Sequence, residues 1–160
     1  VSMLKSMGKF VALDTSGQAL KEAIEAKPDL IKPNISEFCE ILGLQNPSFD
    51  EIVQGLMALA SSGIKTVCLS AGERGALFAE DGKVILARPP KIDVLSTVGA
   101  GDAMVAGLIA GALSGQSLTE RAKLSTAFSA CALTKMGPGR TTRERVSSIM
   151  KDITIEEVRI

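Results

Sequence analysis

At 160 residues, 46% hydrophobic and 22% charged, the chain is long enough to bury one core and has the length of a single domain, which excludes a disordered segment. Its 18 lysines and arginines balance 18 aspartates and glutamates, so there is no basic footprint for nucleic acid or an anionic membrane. It has no histidine, tryptophan or tyrosine, which excludes imidazole-based mechanisms and leaves acid–base work to carboxylates, lysines and thiols.

The first residues, Val1, Leu4 and Met7, share a helical face that stops at Gly8 with no N-cap ahead of it. The chain therefore reads as beginning inside a helix, and as a piece of a longer polypeptide. Phe10-Val-Ala-Leu13 predicts a strand, Asp14-Thr-Ser-Gly17 a loop, and the lysine- and glutamate-rich stretch to about Lys27 an amphipathic helix. Leu30 and Ile31 form a second short strand ending at Lys32-Pro33-Asn34. Ser36 is placed to cap a helix that runs to Leu42 and closes at Gly43.

Ser48 and Glu51 have capping-box spacing, and Phe49, Ile52, Val53, Leu56, Met57 and Ala60 repeat on one helical face up to Gly63. Ile64–Ser70 predicts a third strand leading into Ala71-Gly72. Asp81-Gly82 between Ala76–Ala79 and Val84–Ala87 is a hairpin signal, which adds antiparallel strands to one side of the sheet. After Pro89-Pro90 the chain is extended to Gly99-Ala-Gly-Asp102, where a tightly packed helix begins. Ser117 and Glu120 box the start of the next helix, whose Ala122, Ala127, Ala130 and Ala132 predict close packing on a neighbour. Thr141 and Glu144 open a further helix to about Lys151, and Ile153–Val158 reads as a terminal strand.

The apolar run Ala103–Leu113 falls short of the ~18 residues a membrane span needs, and no basic and apolar leader pattern opens the chain. Cys39, Cys68 and Cys131 are odd in number and lack C-x-x-C spacing, so they read as buried thiols of a reducing compartment. These features predict a cytoplasmic protein.

Strands alternating with helices predict a mainly parallel α/β sheet covered on both faces. Ligands of such sheets sit beyond the carboxyl ends of the strands. Asp14, Lys32–Asn34 and Ser70–Gly72 each follow a predicted strand, so they are expected to converge there with Gly99–Asp102.

Gly99-Ala100-Gly101-Asp102 sits where a loop becomes a helix. Small residues let backbone N–H groups approach an anion, the helix start adds partial positive charge, and a carboxylate in the same turn can take a proton from a substrate hydroxyl. A glycine-rich helix start with an ordinary capping aspartate has the same pattern. Asn34-x-x-Glu37 is equally a capping spacing, Ser70-x-Gly72 a strand-to-turn exit, Lys32 a solvated lysine and Asp14 a turn-former.

The wider segment Ser96-Thr-Val-Gly-Ala-Gly-Asp-Ala-Met-Val-Ala-Gly-Leu-Ile109 resembles the C-terminal signature of the ribokinase and phosphofructokinase-B family of carbohydrate kinases. Asp14-Thr-Ser-Gly17, Lys32-Pro-Asn-Ile-Ser-Glu37 and Ser70-Ala-Gly-Glu-Arg-Gly75 resemble other motifs of that family, in order. The resemblance implies the C-terminal half of a ribokinase-like three-layer α/β/α fold. It implies that residues 1–160 carry the nucleotide-binding and catalytic part, with the sugar-binding part and lid outside them.

The activity implied is transfer of the ATP γ-phosphoryl group to a sugar hydroxyl. Asp102 matches the catalytic base, and Gly99, Ala100 and Gly101 match the anion hole. Lys32, Ser70, Gly72, Gly75 and Thr97 match nucleotide-binding positions, while Asn34 and Glu37 match the element that orders Mg²⁺–ATP and its waters. Asp14-Thr-Ser-Gly17 with Lys32-Pro-Asn34 looks most like the family's hexose-phosphate kinases, of the 1-phosphofructokinase, tagatose-6-phosphate kinase and minor 6-phosphofructokinase kinds. A sugar phosphate is then the small-molecule substrate, with a homodimer or association with the other half of the fold as the expected assembly. These residues alone are expected to lack kinase activity. The alternatives are a ribokinase- or nucleoside-kinase-like member with another acceptor, and a nucleotide-binding module without catalysis.

Overall fold

The structure is a computed structural model that describes residues 1–136 and 141–159. The elements run α1 (Ser2–Ser6), β1 (Ala12–Leu13), α2 (Gly17–Glu25), β2 (Leu30–Ile31), α3 (Ile35–Leu42), α4 (Phe49–Ser61) and β3 (Thr66–Ser70). A 3₁₀ turn (Gly72–Arg74) then leads to β4 (Ala76–Glu80), β5 (Lys83–Arg88), α5 (Ala100–Leu113), α6 (Leu118–Leu133), α7 (Arg143–Asp152) and β6 (Thr154–Val158). The six strands form one sheet in sequence order. β1 pairs parallel with β2 (Ala12 beside Leu30, Leu13 beside Ile31), and β2 pairs parallel with β3 (Leu30 beside Thr66, Ile31 beside Val67). The two residues Asp81 and Gly82 join β4 to β5, a connection only antiparallel neighbours can use. The sheet is therefore mixed, as the alternation of strands and helices and the hairpin signal predict.

The chain divides into two compact units, one of residues 1–71, 77–85 and 157 onward, the other of residues 72–76 and 86–156. In the first, Leu30, Ile31, Val67 and Leu69 on the parallel strands are buried, with Phe38 of α3 and Val53 and Leu56 of α4. The buried side of α4 is Val53, Leu56 and Leu59, while Phe49 and Met57 of the predicted apolar face are exposed. Gly55 shows why the helix sits this way, because a Cβ there would meet Leu42 Cδ1 at 2.5 Å and Phe38 Cζ at 2.9 Å. α3 and α4 touch through that gap, and α4 turns toward it.

Helix starts follow the capping chemistry in the sequence, with two corrections. Ser48 and Ser117 form their boxes with Glu51 and Glu120. The cap of α3 is Asn34 rather than Ser36, since Asn34 Oδ1 accepts from Glu37 N–H at 2.9 Å and Glu37 Oε2 accepts from Asn34 N–H at 2.8 Å. That reciprocal pair starts the helix before Ser36 is reached. The cap of α7 is Thr142 rather than Thr141, its hydroxyl accepting from Arg145 N–H at 3.2 Å. Cys68 and Cys131 are buried as expected, while Cys39 is half-exposed. Among the described residues no helix is long and apolar enough to cross a membrane.

Asp29, just before β2, fastens the start of the chain. Its Oδ1 accepts from Lys5 Nζ at 2.6 Å and its Oδ2 from Val11 N–H at 2.8 Å. Burial pushes this carboxyl up, but the Lys5 hydrogen bond, the Val11 N–H and the Lys5 charge together hold it below its ordinary value of 3.8. A depressed folded value means that the clamp contributes fully above pH 3.8 and is lost as pH falls through the folded value. Urea midpoints near neutrality and well below pH 3.8 check this. Asp29→Asn is expected to lower the neutral midpoint and to shrink the drop between the two conditions.

In the second unit α5 packs on α6. Gly107 faces Ser125 so closely that a Cβ would lie 2.6 Å from Ser125 Cα, and at Gly111 it would lie 2.6 Å from Arg121 Cγ. Ala122, Ala127 and Ala130 are buried, as the small-residue pattern predicts, and Ala132 is half-buried. Because the Gly107 contact is with backbone, no side chain can swing away to make room. Gly107→Val is expected to cost about 1–3 kcal/mol as overpacking. In a chain of this size that is ~2–4 °C of melting temperature per kcal/mol. Ala106→Val, at an exposed position on the same helix, is the control.

Candidate functional site

In the first unit, parallel strands of matched register set the loops at their carboxyl ends side by side. Asp14 follows β1, Lys32 follows β2 and Ser70 ends β3. Lys32 is not a solvated lysine: it is 8% exposed, and its Nζ lies 3.4 Å from Asp14 Oδ1. A lysine taken this far from water needs a counter-charge, and Asp14 supplies it. Burial pushes the neighbouring Cys68 thiol up to about 12, with Lys32 acting downward and Asp14 upward in smaller measure. Cys68 is therefore a protonated, inert thiol, and the ionic chemistry of this corner belongs to Asp14 and Lys32.

Ser70 meets the segment after β2. Its N–H donates to Pro33 O at 3.0 Å, and Ser70 and Asn34 form an isolated parallel bridge. The structure thus brings Asp14 to Lys32 and Asn34 to Ser70. Asn34 and Glu37 are joined by the capping box, which leaves Asn34 exposed and Glu37 half-exposed. On sequence alone Asp14 reads as a turn residue. The signal available is its place directly after a strand, but only the strand order makes it the neighbour of Lys32.

In the second unit, Gly72 opens the 3₁₀ turn and Gly75 closes it, with Gly75 N–H donating to Gly72 O at 3.0 Å. Gly75 has φ +94°, and a Cβ there would lie 2.1 Å from the carbonyl oxygen of Ala87. Packing alone requires a glycine at this position. At Gly72 the corresponding space is open.

α5 begins differently from α3, α4, α6 and α7, each of which has a side-chain cap. Its N-cap is Gly99, in the left-handed region at φ +79°, with no side-chain cap. Nothing lies within 4 Å of where a Gly99 Cβ would be. The start of the helix that runs from Ala100 to Leu113 is thus left without a side-chain cap, at its positive end. Asp102 sits in that turn and is exposed, as is Thr97 in the preceding loop. Ser96 Oγ accepts from Val98 N–H at 3.2 Å and Ala100 N–H donates to Thr97 O at 3.4 Å, which shapes the loop. An uncapped helix start with a carboxylate in its first turn can hold an anion while the carboxylate accepts a proton.

The donor set bears on a metal. Among the described residues no three Cys, Asp or Glu side chains cluster as an all-protein metal cage. Mg²⁺ does not need one, since it keeps several waters and takes one or two carboxylates along with substrate phosphates. Glu37 fits that use, because a carboxylate offers about four lone-pair sites and the capping box engages one oxygen.

Residues 2–145 match the pfkB family of carbohydrate kinases. The chain is 41% identical over 155 residues to a 1-phosphofructokinase of Rhodobacter capsulatus, covering 97% of this chain and 49% of that protein. It superposes on Escherichia coli phosphofructokinase-2, solved with substrates and products, with a TM-score of 0.89 and 27% identity, over 94% of this chain and 50% of the other. It superposes on Arabidopsis thaliana ribokinase, solved with ribose and ATP, with a TM-score of 0.79 and 26% identity, over 92% of this chain and 49% of the other. The chain spans about half the length of the curated relatives it matches. Both the ribokinase-like fold and the four motifs agree with that match, and the chain belongs to the pfkB family of carbohydrate kinases.

Proposed function

We propose that this chain carries the nucleotide-binding and catalytic part of an ATP-dependent sugar-phosphate kinase of the 1-phosphofructokinase kind. The observation that carries the reading is the start of α5, where Gly99 leaves the helix uncapped and Asp102 stands in the first turn. A phosphoryl group in transfer carries negative charge on its equatorial oxygens, and its acceptor hydroxyl must lose a proton. The uncapped N–H groups of the Gly99–Gly101 turn suit the first need, and the carboxylate of Asp102 suits the second. A hexose phosphate as acceptor is supported by the relatives named 1-phosphofructokinase.

The nucleotide with its Mg²⁺, when bound, supplies the phosphoryl group. Lys32 is assigned to neutralise phosphate charge, exchanging its pairing with Asp14 for the stronger charge. Ser70, Gly72, Gly75 and Thr97 are assigned to nucleotide contacts, Gly75 through the backbone of the turn it closes. Asn34 and Glu37 are assigned to hold the waters of Mg²⁺ with the capping box still formed. Residues that hold the acceptor are placed by this proposal outside these 160, so the chain alone turns over no sugar phosphate, because phosphoryl transfer depends on positioning both reactants. Use of ATP and the unbridged thiols support a cytoplasmic setting.

In an enzyme that includes the acceptor-binding residues, Asp102→Asn is expected to lower kcat by roughly 10²–10⁴-fold, the span that general-base catalysis supplies, with little change in ATP affinity. Near-parental turnover would remove Asp102 from the base role. For the chain itself, a thermal-shift titration is the direct test, since a ligand at a hundredfold its dissociation constant stabilises the folded state by about 2.7 kcal/mol. Glu37→Gln keeps a box-forming side chain but removes its charge. It should leave the unliganded melting temperature close to that of the parent and raise the Mg²⁺ needed for the ATP-dependent shift; an unchanged Mg²⁺ titration would leave Glu37 as a cap alone.

A further inference from the structure

Strand register fixes where Asp14 and Lys32 stand. Leu13 of β1 lies beside Ile31 of β2, so the residues that follow them, Asp14 and Lys32, leave the sheet as neighbours. The lysine is the fixed member of the pair. Ile31 before it is fully buried, Pro33 after it accepts the N–H of Ser70, and its own side chain is 8% exposed. The aspartate is the more open member, since it begins the connection from β1 to α2 and its side chain is 32% exposed.

Another ion pair of the same unit shows what a closed pair looks like. Lys5 Nζ approaches Asp29 Oδ1 to 2.6 Å, and the other oxygen of that carboxylate accepts from Val11 N–H. Lys32 Nζ stops 3.4 Å from Asp14 Oδ1, although Lys32 is much the more deeply buried of the two lysines. An ammonium taken from water needs a close counter-charge, and one held at this distance leaves part of that need unmet. Cys68 beside the pair is a protonated thiol and adds no charge. The corner therefore holds a lysine that a further anion would stabilise, and a carboxylate that such an anion must approach.

This arrangement sets the sign of the aspartate's effect on a ligand. A phosphate drawn to Lys32 comes to within about 6 Å of the Asp14 carboxylate, where like charges near a protein surface repel strongly enough to change affinity about tenfold or more. Asp14 opposes the anion that Lys32 attracts. When the anion departs, the carboxylate is in place to stabilise the emptied lysine. Release of product limits turnover in many enzymes, so a contact that loosens the hold on a spent nucleotide serves the reaction cycle.

We infer that Asp14 is a resident counter-ion, which competes with a nucleotide phosphate for Lys32 and takes the lysine back when the product leaves. The inference rests on the functional reading in one respect, that Lys32 meets a nucleotide phosphate.

The test titrates the 160-residue chain with ADP by calorimetry, in the presence of a chelator so that no divalent metal stands between phosphate and carboxylate. Melting temperature is read with and without the nucleotide. Asp14→Asn is expected to bind ADP about tenfold or more tightly than the parent, with the gain in slower dissociation. Its unliganded melting temperature should fall, because Lys32 loses its counter-charge, and saturating ADP should close the gap to the parent. Equal or weaker binding by Asp14→Asn would overturn the inference, by making Asp14 a bystander or one of the nucleotide's own contacts. If Asp14→Asn does not fold, NMR of the parent decides: the carboxyl carbon resonance of Asp14 should move on saturation with ADP, and an unmoved resonance would overturn the inference. Lys32→Met separates the two readings. ADP binding that is absent, or indifferent to Lys32→Met, counts against the nucleotide reading and takes this inference with it; binding that needs Lys32 but ignores Asp14→Asn sinks this inference alone.

Discussion

The second unit is organised around one contact, the approach of α5 to the backbone of α6 at Gly107. Because no side chain stands between the helices there, their axes are set by main chain against main chain, and close-packed main chain has few ways to relax. The first turn of α5 is thereby given a fixed place to begin. That turn holds Asp102 and the N–H groups that the N-cap Gly99 leaves without a side-chain partner. A functional group on a loop would wander by more than a hydrogen bond's tolerance, whereas one in the first turn of a long packed helix does not.

The first unit reaches a comparable precision by another route. Two short parallel pairings, β1 with β2 and β2 with β3, bring the ends of three strands together. The loops beyond them carry Asp14, Lys32, Asn34 and Ser70, so ion pair and bridge are consequences of strand register. The burial of Lys32 makes this corner more than a polar rim. An ammonium that has given up water responds strongly to whatever anion stands beside it, and in the structure that anion is the carboxylate of Asp14.

Charge at β6 and its absence at β1 give the sheet one guarded edge and one open one. Asp29 is central to the open edge, because it supplies the acceptor that Val11 N–H would otherwise lack and it anchors Lys5. A single carboxylate so fixes both the start of the sheet and the apolar side chains beside it.

Much of this was legible in the sequence, for local reasons. Strand and helix order, the Asp81-Gly82 hairpin, the boxes at Ser48 and Ser117 and the glycine-led start of α5 are all decided by residues within a few positions of each other, so period and capping chemistry reveal them. The motifs that place the chain among pfkB carbohydrate kinases are local in the same sense. The cap of α3 is a local feature too, since the Asn34-x-x-Glu37 spacing in the sequence closes as a box two residues ahead of Ser36. Tertiary structure was required for everything that depends on who faces whom. The buried side of α4 turned to Leu59 and away from Phe49 and Met57, and α4 meets α3 across Gly55. The burial of Lys32, its pairing with Asp14 and the requirement for glycine at Gly75 came from strands and loops that are distant in sequence, which no local pattern encodes. Short-range hydrogen bonding and periodicity wrote the elements into the sequence; the register of the strands and the approach of one backbone to another decided how their side chains meet.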